Sequence, residues 1–379
     1  MRRAALILTV IATGALAIGP IPPAVATVRA DAPVSRGFSP NPSPEYSVLN
    51  SVSAISSDDA WAVGNYEIDE ATAAQCAFVL HWDGEAWSQV DIPISSSTES
   101  ELLGVSALSS SNVWAVGYYL NEATGRGNAL ILHWDGLAWS QIDGPFPGST
   151  GSGLRAVDAV ADDDVWAVGG YYGADSDHVN ETLILHWDGK AWSRVKSPSP
   201  RPFFNTVAAV SVASAREAWA VGHYGSDQQG LLLHWDGVAW SKVRCPVPDA
   251  LLLGVYSESR SNAWAVAGGL ILHWNGSVWA RSDHPPIRRP YLVDVDGTRP
   301  RNVWVVGSSG RWRHSEAVTL RWDGKRWTDT RHQSPDPGSF HFEGGDVRSS
   351  TDAWAVGYYV NTSFETLAFH WNGTRWSRT

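Results

Sequence analysis

The chain has 379 residues, a formal net charge of −11, two cysteines and 22 tryptophans. That acidic balance excludes general nucleic-acid binding, which needs a basic face, and two cysteines exclude a disulfide-stapled scaffold. A chain of this length buries a sizeable core without staples.

Arg2 and Arg3, followed by the apolar stretch Ala4 to Gly19, read as a secretion signal too short to span a membrane, with Ala24-Val25-Ala26 as its cleavage site. No later stretch reaches the ~18 apolar residues of a membrane span. The expected product is secreted, with no membrane insertion. Residues 27 to 44, rich in Pro and Ser, read as a linker. Residues 45 to 379 then form one repetitive domain.

Its first copy runs through Val48 to Ala54, a polar turn Ser56 to Asp59, Ala60-Trp61-Ala62-Val63-Gly64, a variable loop, Ala77 to Trp82, and Ala86 to Val90. These are four strands, here called a, b, c and d. Between c and d stands Asp83-Gly84, repeated as Asp135-Gly136, Asp188-Gly189, Asp236-Gly237, Asn275-Gly276, Asp323-Gly324 and Asn372-Gly373, 39 to 53 residues apart. Asp-Gly or Asn-Gly between apolar runs predicts a type I′ hairpin, with positive φ at both central residues. Three Trp per copy account for 21 of the 22.

Strands such as Phe78-Val79-Leu80 and Leu231-Leu232-Leu233 are apolar on both faces. A strand with one wet face would alternate. Sheets covered on both sides and repeated seven times predict an all-β fold, a seven-bladed β-propeller with four antiparallel strands per blade. The first strand falls at the start of the domain and the last at its end, so blade 7 is expected to close on blade 1 without a shared strand. Cys76 and Cys245 then lie on opposed blades, beyond the ~7 Å that a disulfide tolerates between Cα atoms.

Trp264-Ala265-Val266 running into Gly269-Leu270-Ile271-Leu272, then Asn275-Gly276 and Trp279, resembles the repeats of BNR-like (Asp-box-like) propellers, in their photosystem-assembly-factor and sialidase-superfamily versions. The resemblance covers the domain past the linker and implies a propeller fold. The Asp box of that family carries Ser or Thr two residues before Asp and one residue between Asp and Gly. Here His holds the first place, and Asp and Gly are adjacent.

One His per blade (His81, His133, His186, His234, His273 and His370, with Arg321 in the sixth copy) cannot converge on a metal, whose bonds to nitrogen are ~2 Å. These His are expected to make a repeated hydrogen bond between strands c and d. The acidic a–b turns lack the ligand spacing of a calcium loop. No metal and no cofactor is expected.

Function is expected where the copies differ, in the b–c and d–a loops that share one face. Two features lie there. Tyrosines follow strand b, among them Tyr66, Tyr119, Tyr171, Tyr224 and Tyr359, with Tyr118, Tyr172 and Tyr358 beside them; such rings suit a sugar or a protein surface, or cap the blade ends. Blade 6 carries Arg311-Trp312-Arg313 in its b–c loop and Arg288-Arg289 in the preceding d–a loop. From Arg281 to Arg331 there are 11 basic and 6 acidic residues in an otherwise acidic chain, which suits an anionic partner. The sialidase signature Arg-Ile-Pro is missing, and no catalytic residue follows from sequence. The expectation is an exported monomeric binding or scaffold propeller for a cell-surface glycan or protein. The alternative is a glycoside hydrolase or lyase with paired carboxylates over the central channel, drawn from loop acids such as Glu67, Glu181, Asp227 and Glu316.

Overall fold

A computed structural model describes residues 46–69, 74–94, 99–121, 125–147, 151–173, 180–200, 204–311, 314–330 and 338–379. Seven four-stranded antiparallel sheets follow one another in chain order, each a simple meander of four consecutive strands. Blade 1 is made of Ser47–Ser56, Asp59–Asp69, Ala74–Trp82 and Trp87–Val90. The first strands of neighbouring blades lie side by side all the way round, and that of blade 1 also meets blade 7. Strand a therefore lines the axis, and among the described residues the ring closes with no strand shared between blades; residues 27 to 44 lie outside them.

Tryptophan sets the spacing of the blades. Trp61 of strand b packs on Trp134 and Trp139 of the next blade, at ring centroid distances of 5.0 and 5.4 Å, the second pair edge to face. The same trio recurs at each joint and ends with Trp354 against Trp82 and Trp87, both at 5.7 Å. Edge-to-face indoles add about 0.5–1.5 kcal/mol beyond their buried area. The last joint has polar ties as well: Trp87 Nε1 donates to Thr379 Oγ1 at 2.9 Å, and Ser53 Oγ reaches Asp346 Oδ2 at 3.5 Å.

Nearer the axis a second ring of contacts joins the inner strands. Ser53 Oγ accepts from the Ala107 amide, Ser106 Oγ from Ala159 and Ser211 Oγ from Ser257, each at 3.0 Å. Three blades use a carboxylate instead. Asp158 accepts from Val212 at 2.6 Å, Asp296 from Val347 at 2.7 Å, and Asp346 from Ala54. At the remaining joint the Tyr256 ring packs against Gly297, where a Cβ would sit 2.9 Å from the ring. Burial pushes Asp158 up to about 6 and Asp346 up to about 7.

Three local expectations are corrected. The c–d turn is not type I′: Trp82 pairs with Trp87 around a four-residue loop, and only Gly84, at φ 96°, has positive φ. Asp83 Oδ1 accepts from the amides of Glu85 and Ala86 at 2.9 and 2.8 Å, which satisfies the turn without bending the Asp backbone into the left-handed region. The repeated His bonds to the start of strand b rather than to strand d. His81 Nε2 meets Asp59 Oδ1 at 2.8 Å, and the ring lies over Trp61 at 4.4 Å; in blade 6 the Arg321 guanidinium takes that place over Trp304 at 5.1 Å. Finally, strand b runs well past its glycine, to Asp69 in blade 1 and Asn121 in blade 2. Its tyrosines belong to the ladder, as their β propensity favours.

Cys76 and Cys245 form no disulfide, and the first is buried; burial raises the Cys245 thiol pKa. Thiol titration of the unfolded, unreduced protein should therefore find two thiols per chain. Asp158 gives a second prediction. Its folded pKa lies above the ordinary carboxylate value, so it favours folding most at low pH, and that contribution is lost as pH rises from about 4 through 6. Asp158→Ser, the residue used in blades 1, 2 and 4, should gain in Tm relative to the parent across that window and stay level above about pH 7. A pH-independent difference in thermal scans would contradict it.

Candidate functional site

The glycine that ends each Trp-Ala-Val-Gly stretch decides what reaches the axis. A Cβ at Gly117 would lie 1.9 Å from the Glu101 carbonyl oxygen, and one at Gly169 would lie 2.0 Å from that of Gly153. Opposite this glycine, strand a carries a β-bulge in six of the seven blades. The extra residue is Asn50, Leu103, Arg155, Ala208, Val293 or Glu343, in blade order. A bulge re-aims its side chain, so the loop-side end of the channel is ringed by residues that differ from blade to blade.

Two polar groupings flank this ring. On blades 2 to 4, Glu101 and Tyr118 sit opposite each other in the ladder, with Arg155 and His223 beside them. Burial raises the Glu101 pKa, and a Tyr118 hydrogen bond and the Arg155 charge offset this only in part. Burial pushes the Tyr118 hydroxyl far up, and the Glu101 charge adds to the rise. His223 is held down to about 4, first by burial and then by Arg155. On blades 6 and 7, His341 stacks on Tyr358 at 4.7 Å and an interplanar angle of 13°. Tyr291 is pushed up to about 12 by burial and by the Glu343 charge, and the same two causes raise Tyr358.

The tyrosines expected to face a ligand are placed differently. Strand residues alternate between faces, so the second ring of Tyr118-Tyr119 and Tyr358-Tyr359, and the first of Tyr171-Tyr172, turn to a core. Tyr171, Tyr224 and Tyr359 are only 7%, 8% and 7% exposed, which corrects their expected role as an open stacking surface. Each is braced by a cation from strand d, with Arg194 4.6 Å, Lys242 3.9 Å and Arg378 5.7 Å from the ring centroid. Tyr171 also donates to Glu181, and Tyr224 to Gln229 at 2.8 Å. Tyr66 and Tyr119 are half-buried against the cores of blades 1 and 2.

Arg288, Arg289 and Arg311 are exposed, and the Gly310 amide donates to the Arg289 carbonyl at 3.3 Å. The d–a loop and the b–c hairpin of blade 6 are thus tied together. Trp312 and Arg313 lie outside the described residues. The mouth residues Glu101, Arg155, His223, Tyr291, His341 and Glu343 were not picked out from sequence. Their one signal was variation beside a near-constant Trp-Ala-Val-Gly strand, which becomes Trp264-Ala265-Val266-Ala267 in blade 5 and Trp304-Val305-Val306-Gly307 in blade 6.

No family model and no curated protein matches the sequence. Among solved structures the chain is similar to "YCF48 bound to D1 peptide", at 18% identity and TM-score 0.57, covering 86% of this chain and 92% of that one. It is similar to YCF48 from Cyanidioschyzon merolae at 16% identity and TM-score 0.55, covering 86% and 97%. It is also similar to virginiamycin B lyase from Staphylococcus aureus at 11% identity and TM-score 0.52, covering 81% and 90%. At these identities the likeness shows the fold.

The braced tyrosines generate a test of their structural role. Lys242→Met removes the cation over Tyr224 and should lower stability by about 0.5–1 kcal/mol in urea unfolding. An unchanged midpoint would mean that the bracing contributes nothing.

Proposed function

We propose that this is an exported binding propeller that holds a protein segment over the loop-side mouth of its axial channel, with no catalysis of its own. The observation that carries this reading is the set of side chains that the bulges and tyrosines bring to that mouth from blades 2, 3, 4, 6 and 7. They combine flat aromatic area (Tyr118, Tyr291, Tyr358) with fixed charges of both signs (Arg155, Glu101, Glu343). Aromatic anchors ringed by polar groups are what a peptide or protein surface engages. That a solved propeller of similar fold is described as bound to a peptide agrees with this choice over a glycan. The blade 6 corner of Arg288, Arg289 and Arg311 would meet an anionic part of the same ligand at the rim.

Peptide and glycan arrays probed with the purified protein test the class of ligand. For a peptide hit, Tyr118→Ala with Tyr358→Ala should weaken binding at least tenfold with a nearly unchanged Tm. Arg288→Ala, Arg289→Ala and Arg311→Ala together should weaken it by less, and mainly at low salt. Glycan binding that survives the tyrosine changes and is lost with the arginines would move the site to blade 6.

A further inference from the structure

Arg155 is the bulged residue on strand a of blade 3 and is half-buried. Desolvation lowers its pKa by more than the nearby Glu101 and Tyr118 can restore. Yet among the described residues no hydrogen bond or ion pair reaches the guanidinium. Arginine presents five N–H donors in a planar fork, so these donors are left for solvent or a ligand. His223, on strand b of blade 4, is close enough to feel the Arg155 charge, and its Nδ1 is buried without a partner. Two polar groups from adjacent blades, the Arg155 guanidinium and the buried His223 Nδ1, thus stand near each other without a hydrogen bond from the protein.

We propose that Arg155, with His223 beside it, is a binding site for a carboxylate group of the ligand. This rests on the reading of the mouth as the ligand site. The guanidinium fork matches a planar carboxylate through two parallel hydrogen bonds, and the imidazole offers a third polar contact. A more highly charged group such as phosphate fits less well. Glu101 lies next to Arg155, Glu343 belongs to the same ring, and the inner strands below carry Asp158, Asp294, Asp296 and Asp346. The carboxylate could come from an acidic side chain or from a chain terminus. Both present the same two oxygens.

The test uses calorimetry on the full chain, starting from the peptide found on the array. It is made in three forms: with a free C-terminus and no acidic side chain, amidated with one internal Asp, and amidated with neither. At least one carboxylate form should bind more tightly than the uncharged form. Arg155→Met should weaken that form about 10- to 150-fold, as for loss of a charged hydrogen bond, while leaving the uncharged form unaffected. Arg155→Lys, which keeps the charge and loses the fork, should fall between. Because desolvation of the Arg155 charge outweighs its attraction to Glu101 and Tyr118, Arg155→Met should leave the Tm equal to or above that of the parent. A clear fall in Tm would mark Arg155 as structural and overturn the proposal. So would equal binding of all three forms by the parent, or parental affinity for the carboxylate forms in Arg155→Met. In those cases the mouth reading survives if the tyrosine variants still lose binding. If the parent binds none of the three forms, both ideas fall.

Discussion

The structure depends on one contact made seven times: the strand-b indole of each blade wedged between the strand-c and strand-d indoles of the next. Trp61 meets Trp134 and Trp139, Trp219 meets Trp274 and Trp279 at 5.0 and 4.9 Å, and Trp354 returns to Trp82 and Trp87. Because each wedge joins two blades, no blade buries its aromatic face alone, and the ring is the smallest unit that satisfies all seven. The wedge also explains how, among the described residues, the ring closes without a strand from the other terminus. The last joint has the same aromatic content as the others, plus the hydrogen bond from Trp87 to Thr379.

Fixed spacing at the rim leaves the axis free to vary. Inner strands are tied by a serine or aspartate on one blade accepting an amide from the next, and either residue serves, since each offers an acceptor oxygen. Carboxylates there carry the penalty of burial, visible in the raised pKa values of Asp158 and Asp346. Above these ties the strand-b glycine admits a bulge of strand a in six of the seven blades, and the bulge re-aims one residue in each. Asn50 uses this position structurally, reaching Asn65 at 3.0 Å and the Leu102 carbonyl of the next blade at 2.8 Å. Arg155, at the same position, makes no hydrogen bond or ion pair among the described residues, though it lies within the field of Glu101. One backbone device therefore serves the ring in one blade and is left open to a ligand in another.

The number of blades, the order of their strands and the packing role of the tryptophans could be read directly from the chain, because each follows from local pattern repeated at near-constant spacing. The length of strand b could not. Tyr118 and Tyr119 look alike as neighbours after a glycine, and only their pairing with Glu101 and Ser100 in the ladder assigns them to opposite faces. Reading them as loop residues selected Tyr119, Tyr171, Tyr224 and Tyr359, the rings that the cores absorb. The basic corner of blade 6 was visible because Arg288, Arg289 and Arg311 crowd together in sequence. The mouth was not, because its members come from five blades and are ordinary residues in their own segments.

The sequence by itself determined the architecture: period, turn chemistry and aromatic content act over tens of residues and repeat, so each copy confirms the others. Only the tertiary structure decided the site. A bulge is a mismatch between two strands and has no signature in either strand alone. The meeting of Glu101, Arg155 and His223 arises only when blades 2, 3 and 4 are brought around a common axis.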